Sequence, residues 1–227
     1  MTTIASSEYV VGVDGTRDGW VAIRLAGTDP VGAASYADFG ALLTHEAGAS
    51  VVAVDMPIGL PTAHAWPRQA DLAARTFIGR MRSSVFVVPP REALEAPTHA
   101  DAVRACRDAG VPGVSQQAFA LRHKIFEVAQ YSADSRVHEV HPEASFAAMH
   151  GAPLRHGKRT WNGYHERLAL IAAAGIRLPD DLGDFGRAGV DDVLDAIAAG
   201  WTAWRIAAGV ARCLPADAPV GAARIWY

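Results

Sequence analysis

Two short runs of β-branched residues near the start of the chain each end in an aspartate. The first, Val10 to Val13, stops at Asp14, and the second, Ser50 to Val54, stops at Asp55. Short apolar runs of this kind predict buried strands. In α/β proteins the sites lie at the edge of the sheet where strands end. The two strands therefore predict an α/β sheet, and the aspartates that follow them predict a functional site at the edge where both strands end.

The segments around these strands follow the order of an α/β domain. Three further strands and a short helix are predicted by apolar runs at residues 20–25, 31–36 and 136–141 and by the helical pattern at 39–45. The region of about residues 61–131 is rich in proline and glycine and predicts helix and loop. Longer helices are predicted at residues 115–130, 142–149, 160–174 and 191–210, and an edge strand at 222–227. We therefore expect one domain over residues 1–227 that carries a helical insertion at about 61–131.

Composition narrows the class of protein. Half of the residues are hydrophobic and 20% are charged, which supports a folded core rather than a disordered chain. The net charge of −3 excludes a generally basic nucleic-acid coat, so polyanion binding would need a local patch or metal ions.

Cysteine spacing and the lengths of the apolar runs bear on the cellular location that we expect for the protein. The two cysteines form no C-x-x-C pair, which argues against a disulfide scaffold and suits a reducing compartment. Residues 1–8 are too polar for a signal peptide, and no apolar run reaches the ~18 residues that a membrane span requires. We expect a cytoplasmic protein without a membrane partner.

A third group of acids begins the last long helix, in the run Asp191-Asp-Val-Leu-Asp195. Asp192 and Asp195 are three residues apart, so they share one helix face. Together with Asp14 and Asp55 they form the hard oxygen set that Mg²⁺ or Mn²⁺ requires, and carboxylates of this kind hold the ions of phosphodiester-cleaving sites. Acids in a first helical turn are also favoured by the helix dipole alone. Asp191 is predicted to cap the helix.

Several motifs occur in an order that resembles a known family. They are Gly12-Val-Asp-Gly-Thr-Arg-Asp-Gly-Trp20, Asp55-Met-Pro-Ile-Gly59, Arg82-Ser-Ser-Val-Phe86 with Pro89-Pro-Arg-Glu92, Glu139-Val-His-Pro-Glu-Ala-Ser-Phe146 and Asp191-Asp-Val-Leu-Asp-Ala-Ile197. The order is similar to that of a predicted nuclease family with an RNase H-like fold, catalogued as a domain of unknown function. The resemblance covers most of the chain. It implies an RNase H-like mixed five-stranded sheet with flanking helices.

The start of the last helix also resembles that of Holliday-junction resolvases, in which a D-x-x-D-A turn carries metal ligands. That similarity implies metal ligation by Asp192 and Asp195. The chain departs from the family at one place, since Thr16-Arg-Asp-Gly-Trp20 stands where Cys-Arg-Gly-Gly-Trp is common. Asp14 is retained, and the resemblance implies no role here for the usual cysteine.

Two residues of the fifth predicted strand are further catalytic candidates. Glu139 and His141 alternate onto one face of the strand, and either could serve the site: Glu139 as an outer ligand, His141 as a general base or a phosphate contact. His141 could equally cap the helix that Pro142 begins. Glu143 is interpreted as a first-turn acid rather than a ligand.

A basic and hydroxyl-rich segment is the candidate phosphate-binding loop. Guanidinium groups and hydroxyls suit phosphate oxygens. The candidate residues are Arg80, Arg82, Ser83, Ser84 and Arg91. The run Arg155-His-Gly-Lys-Arg159 either extends this patch or is only exposed charge.

The function predicted from these features is a metal-dependent phosphodiesterase, a nuclease whose carboxylate-bound Mg²⁺ or Mn²⁺ acts on DNA or RNA. Two alternatives stay open. Asp14-Gly-Thr16 resembles the first phosphate loop of actin-like ATPases and phosphotransferases, although the chain is short for their two-domain plan. The second alternative is a non-catalytic RNase H-like module that binds nucleic acid or protein. Association of the chain into a homodimer also stays open.

Overall fold

The computed structural model describes residues 9–183 and 186–227. A β-meander opens the chain: β1 (Tyr9–Thr16), β2 (Gly19–Ala26) and β3 (Asp29–Tyr36) pair antiparallel. Residues 1–8, on which the expectation of no signal peptide rests, lie outside the described part of the chain.

Two parallel strands complete the sheet on the other side of β1. The strands β4 (Ala49–Val54) and β5 (Val137–Glu139) give the order β3-β2-β1-β4-β5, with β4 parallel to both β1 and β5. The fold is therefore the expected α/β, RNase H-like mixed five-stranded sheet with flanking helices and a helical insertion.

Helices cover both faces of this sheet. They are α1 (Phe39–His45), α2 (Gln69–Phe77), α3 (Arg91–Leu94), α4 (His99–Asp108), α5 (Gln116–Ala120), α6 (Arg122–Ala129), α7 (Pro142–His150), α8 (Trp161–Ala173) and α9 (Val190–Ala207), with 3₁₀ turns at Ala63–Ala65 and Gly79–Ser84.

The alternation of side chains along the strands produces two cores. Val10 faces the core that α7 and α9 cover, whereas Val11 and Val13 face the one that α1 and α6 cover. Successive strand residues point to opposite faces, so an uninterrupted apolar run such as β1 is what a sheet covered on both faces requires.

The predicted helix of residues 115–130 is two helices. Ser115 caps α5 as predicted, its side chain accepting the N–H of Ala118 at 3.1 Å. The chain then breaks at Leu121 before α6 begins. Arg122 donates to the carbonyl of Phe119 at 3.1 Å, which satisfies a carbonyl left free at the end of α5.

The C-terminus forms a small separate sheet. Its strands are β6 (Cys213–Leu214) and β7 (Ile225–Trp226), and Trp226 also bridges to Val140 beside β5. The predicted edge strand at residues 222–227 is thus shorter than expected. Over residues 9–183 and 186–227, none of the helices has the length and apolar character to cross a bilayer.

Candidate metal centre

Three carboxylates meet at one end of the sheet. Asp14 lies within β1, Asp55 directly follows β4 and Asp195 lies near the start of α9, and an oxygen of each lies within 4.8 Å of the others. The N–H of Asp55 donates to the carbonyl of Val13 at 3.0 Å. Because β1 and β4 are parallel neighbours, the residues at their carboxyl ends reach the same edge.

Asp195 reaches the two strand-end acids because α9 lies unusually close to β1. A Cβ added to Gly12 would stand 2.0 Å from the nitrogen of Gly200 and 2.1 Å from the carbonyl oxygen of Ala196. Only glycine fits at that position. The close approach holds the first half of α9 against β1, and Asp195 directly precedes Ala196.

Burial raises the pKa of all three carboxyls, because a charged group is disfavoured away from water. The pKa of Asp55 and that of Asp195 rise to about 7. The pKa of Asp14 rises well above its ordinary value, and repulsion from Asp55 and Asp195 adds to the effect of burial. The ammonium group of Lys158, which contacts Asp195 Oδ2, opposes these shifts. Without a cation these carboxyls are therefore partly protonated near pH 7, and one lysine favours their ionised form.

The donor atoms suit a divalent cation. Asp195 Oδ1 is buried and has no hydrogen-bond partner among the described residues. Buried polar atoms nearly always have a partner, so a bare carboxylate oxygen beside two other carboxylates fits an ion. All the oxygens are hard ligands of the type that Mg²⁺ and Mn²⁺ prefer. The cluster could therefore hold a divalent metal.

The cluster opens into a cavity of about 610 Å³, a size typical of ligand sites. Other groups that face this cavity are hydroxyls, cations and two residues of the segment after β5. They are Ser83, Ser84, His141, Glu143, Lys158, Arg159 and Thr160.

The other two acids at the start of α9 have different surroundings. Asp192 Oδ2 accepts a hydrogen bond from the N–H of Gly189, the N-cap residue of α9, at 3.0 Å. The prediction that Asp191 caps the helix is therefore wrong, because the acid that reaches back to the N-cap is at the third helical position. Asp191 instead faces Arg159 Nε at 3.4 Å. Asp192 is outside the three-carboxylate group, although its charge still raises the pKa of Asp14.

Glu139, a predicted catalytic residue, is held by a buried arginine. Its Oε1 accepts from Arg68 Nη2 at 2.6 Å, and its Oε2 accepts from the N–H of Ile58 at 2.7 Å. Arg68 also binds Asp71 at 2.5 Å. Both oxygens of Glu139 are thus engaged within the fold, although the residue still lines the cavity.

His141 lines the cavity next to the carboxylates, as does Glu143. His141 Nδ1 is buried without a partner among the described residues, while Nε2 lies 3.4 Å from the carbonyl oxygen of Ser84. Burial lowers the pKa of His141. Glu143 pairs through Oε1 with the fully buried Arg167 at 2.5 Å, and its Oε2 is buried without a partner in the described structure.

The predicted phosphate loop is exposed and reaches the cavity in part. All five of its residues are exposed, and Ser83 and Ser84 line the cavity. Arg80, Arg82 and Arg91 are not among its lining residues. Arg91 instead pairs with Glu95 at 3.3 Å and lies over the ring of Phe126.

Sequence reasoning missed two features of the centre. The sequence shows Lys158 only as one member of a basic run, yet its ammonium group contacts Asp195. The sequence pattern predicts Glu143 to be a first-turn acid, yet it is buried beside the cluster and raises the pKa of Asp55. The position of Glu143 within the motif that also contains His141 could have indicated a role for it at the site. Nothing local distinguishes Lys158 from its basic neighbours.

A five-stranded mixed sheet of this order, with three acids gathered at the ends of two adjacent parallel strands and a covering helix, defines an RNase H-like α/β protein with a candidate metal centre. The family model described as "Protein of unknown function (DUF429)" matches residues 12–220, and the chain belongs to that family. Neither a curated protein nor a solved structure matches the chain.

Proposed function

We propose that the protein is a metal-dependent phosphodiesterase that hydrolyses nucleic acid. The observation that carries the proposal is the convergence of Asp14, Asp55 and Asp195, whose oxygens lie within 4.8 Å of one another. Carboxylates grouped at this edge of the sheet, beside a cavity with cationic and hydroxyl groups, have the chemistry that a phosphodiester site requires.

The cavity supplies groups that suit the substrate's phosphate. Lys158 and Arg159 line it together with the acids, and Ser83 and Ser84 add hydroxyls. Ammonium and guanidinium groups attract phosphate oxygens. The net charge of −3 makes such local groups necessary for binding a polyanion. We extend the phosphate-binding surface to Arg80, Arg82 and Arg91, which are exposed and of which Arg82 directly precedes Ser83 of the cavity lining.

The roles of the residues follow from their surroundings. Asp14, Asp55 and Asp195 would hold the divalent ion, with Asp192 as a further proposed ligand. When bound, such an ion activates water and stabilises negative charge on phosphate oxygens. Lys158 would exchange part of its contact with Asp195 for the substrate phosphate. His141, whose pKa is lowered by burial, is neutral near pH 7 and has a bare Nδ1 that can accept a proton. Glu139, which is held in place by Arg68, would contribute its charge at the wall of the cavity.

A nuclease assay tests the proposal. The parent protein is incubated with Mn²⁺ and a panel of single-stranded, double-stranded and branched DNA and RNA, beside Asp55→Asn as the matched variant. We expect cleavage by the parent and at least a hundredfold loss in the variant. Equal activity in both would point to a contaminating nuclease and would contradict the proposal.

Calorimetry separates the alternative functions. Titration with Mg²⁺, Mn²⁺ and ATP should give binding of metal without binding of ATP. Binding of ATP followed by its hydrolysis would favour the actin-like ATPase. Absence of both metal and ATP binding would favour a non-catalytic module.

A further inference from the structure

A second surface depression adjoins the metal centre, and it is lined by an exposed tryptophan. This depression, of about 520 Å³, is lined by Lys158, Arg159, Thr160, Trp161, Tyr164, Val190 and Asp191. The first three of these residues also line the cavity above the three aspartates. The two spaces therefore adjoin each other along these three residues.

Large apolar side chains are exposed at this depression. Trp161 is 76% exposed and Val190 is 61% exposed, and they are two of the six large hydrophobic side chains that are exposed in the described structure. Scattered exposed apolar residues need no explanation, but these two line one depression and together offer apolar surface to a ligand there. The Trp161 ring meets His165 at 4.2 Å between ring centroids, in an edge contact that holds the indole while leaving most of it open.

Two cationic groups line the same depression as this indole. The Arg159 side chain is 85% exposed, and its Nε lies 3.4 Å from Asp191 Oδ2. Lys158 Nζ lies 4.0 Å from the same carboxylate. Asp191 on α9 is therefore close to both cations, and one of them, Lys158, also contacts Asp195 of the cluster. A tryptophan next to an arginine is the combination that binds a base by stacking and its phosphate by charge.

The loop that carries these cations is fixed on α8. A Cβ added to Gly163 would lie 2.0 Å from the carbonyl oxygen of Gly157, so the loop packs directly against the first turn of the helix. Thr160 caps α8 through the N–H of Gly163 at 3.1 Å, and Arg167 donates to the carbonyl of His156 at 3.1 Å. The backbone that carries Arg159 and Trp161 is therefore held in place before a ligand binds.

We propose that Trp161 and Arg159 form a subsite for one unpaired nucleotide of a single-stranded nucleic acid, with the base stacked on Trp161 and its phosphate on Arg159. This inference rests on the proposed function, because the same strand would place a neighbouring phosphate at the aspartates. An indole can stack on a base only where the base has left the duplex stack. The substrate class is accordingly single-stranded rather than fully paired.

Fluorescence anisotropy with a labelled twelve-nucleotide single strand, and with the same sequence as a duplex, tests the subsite in the presence of Ca²⁺. Trp161→Ala should weaken single-strand binding by about tenfold, as expected for one lost stack. Trp161→Phe should retain most of the affinity. Arg159→Ala should weaken binding and reduce the log–log salt slope by about 0.7, whereas Trp161→Ala should leave that slope unchanged. Val220→Ala, at a side chain that is 98% exposed and outside both cavities, is the control.

Several outcomes would overturn the subsite. Unchanged single-strand binding by Trp161→Ala is one, and equal losses for strand and duplex, which would indicate a duplex-backbone surface, are another. A concentration-dependent dimer that Trp161→Ala abolishes, seen by sedimentation, would make a second copy of the chain the occupant.

Hydrolysis of bis(4-nitrophenyl) phosphate by the parent, a diester without a base, separates the two proposals. If the parent cleaves this diester but Trp161 is irrelevant to strand binding, only the subsite fails. If Trp161 supports strand binding while the parent cleaves neither diester nor oligonucleotide with Mn²⁺, only the phosphodiesterase fails.

Discussion

Gly12 of β1 and Gly200 of α9 are in backbone contact, so that a methyl group on Gly12 would stand 2.0 Å from the Gly200 nitrogen. This contact sets the distance between the central strand and the longest helix. It also determines where Asp195 stands relative to Asp14, because both acids lie within five residues of the contact.

Gly12→Ala should therefore destabilise the protein strongly. The added Cβ meets backbone atoms, which cannot rotate away, and overpacking of a core costs typically 1–3 kcal/mol. We expect a loss of about 3 kcal/mol in the free energy of unfolding, measured by urea denaturation. Gly113→Ala is the matched control, since the added Cβ meets only Val103 Cγ1 at 3.8 Å. Equal stability of the two variants would contradict the role of the contact.

Both acids of the D-x-x-D turn should contribute to the rise in Tm that Mn²⁺ produces, whereas Asp192 should also contribute to stability without metal. Asp195→Asn removes a member of the cluster and should abolish most of the rise in Tm that Mn²⁺ produces. Asp192→Asn weakens the cap on Gly189 and should lower stability by about 1 kcal/mol without metal. Loss of the Mn²⁺ response in Asp192→Asn as well would support the proposed ligation by Asp192. A full response in Asp195→Asn would remove Asp195 from the metal site.

Stability of the metal-free protein should fall as pH rises from about 4 to about 7. The pKa of Asp55 and that of Asp195 are about 7 in the folded state and near 3.8 when unfolded. In this window the folded state binds more protons than the unfolded state, so the unfolding free energy decreases with pH. Urea midpoints measured in EDTA across this range should show the decrease, and Asp55→Asn should flatten it. Saturating Mn²⁺ should reverse the trend, because ions bind the ionised carboxylates. A slope in EDTA that is the same in parent and variant would refute the assignment.

The buried Arg68 should be essential to the fold. Arg68→Met would leave Glu139 and Asp71 buried without their cation, and removal of one partner from a buried pair costs about 3–5 kcal/mol. Thermal melts should show a large fall in Tm. Glu139→Gln keeps the shape and should lower Tm while retaining the Mn²⁺ response. Loss of that response would instead make Glu139 part of the metal site.

Arg82 tests the proposed phosphate surface. Arg82→Ala should weaken nucleic-acid binding across sequences and reduce the log–log salt slope by about 0.7–0.9, as one lost phosphate contact does. Binding is measured by anisotropy over a series of salt concentrations. Arg104→Ala, at an exposed arginine of α4 that pairs with Asp101, is the control and should leave the slope unchanged. An unchanged slope in Arg82→Ala would limit phosphate binding to residues that line the cavity.

Local sequence patterns determined the framework of the protein. The apolar runs that end at Asp14 and Asp55 are the uninterrupted runs typical of strands covered on both faces, and parallel pairing of these two strands brings the two acids to one edge. The helical pattern of residues 39–45 likewise predicts the helix Phe39–His45. These features depend on interactions between neighbours along the chain, which the sequence displays directly.

The tertiary structure alone decided which acids join the centre and what surrounds them. Asp192 and Asp195 share a helix face, yet one caps the helix while the other is buried, because the packing of α9 on Gly12 determines how deep each position lies. The contact of Lys158 with Asp195 joins positions that are far apart in sequence, as does the pairing of Glu143 with Arg167. Such contacts arise from the docking of a loop and helices on the sheet, and no local periodicity encodes them.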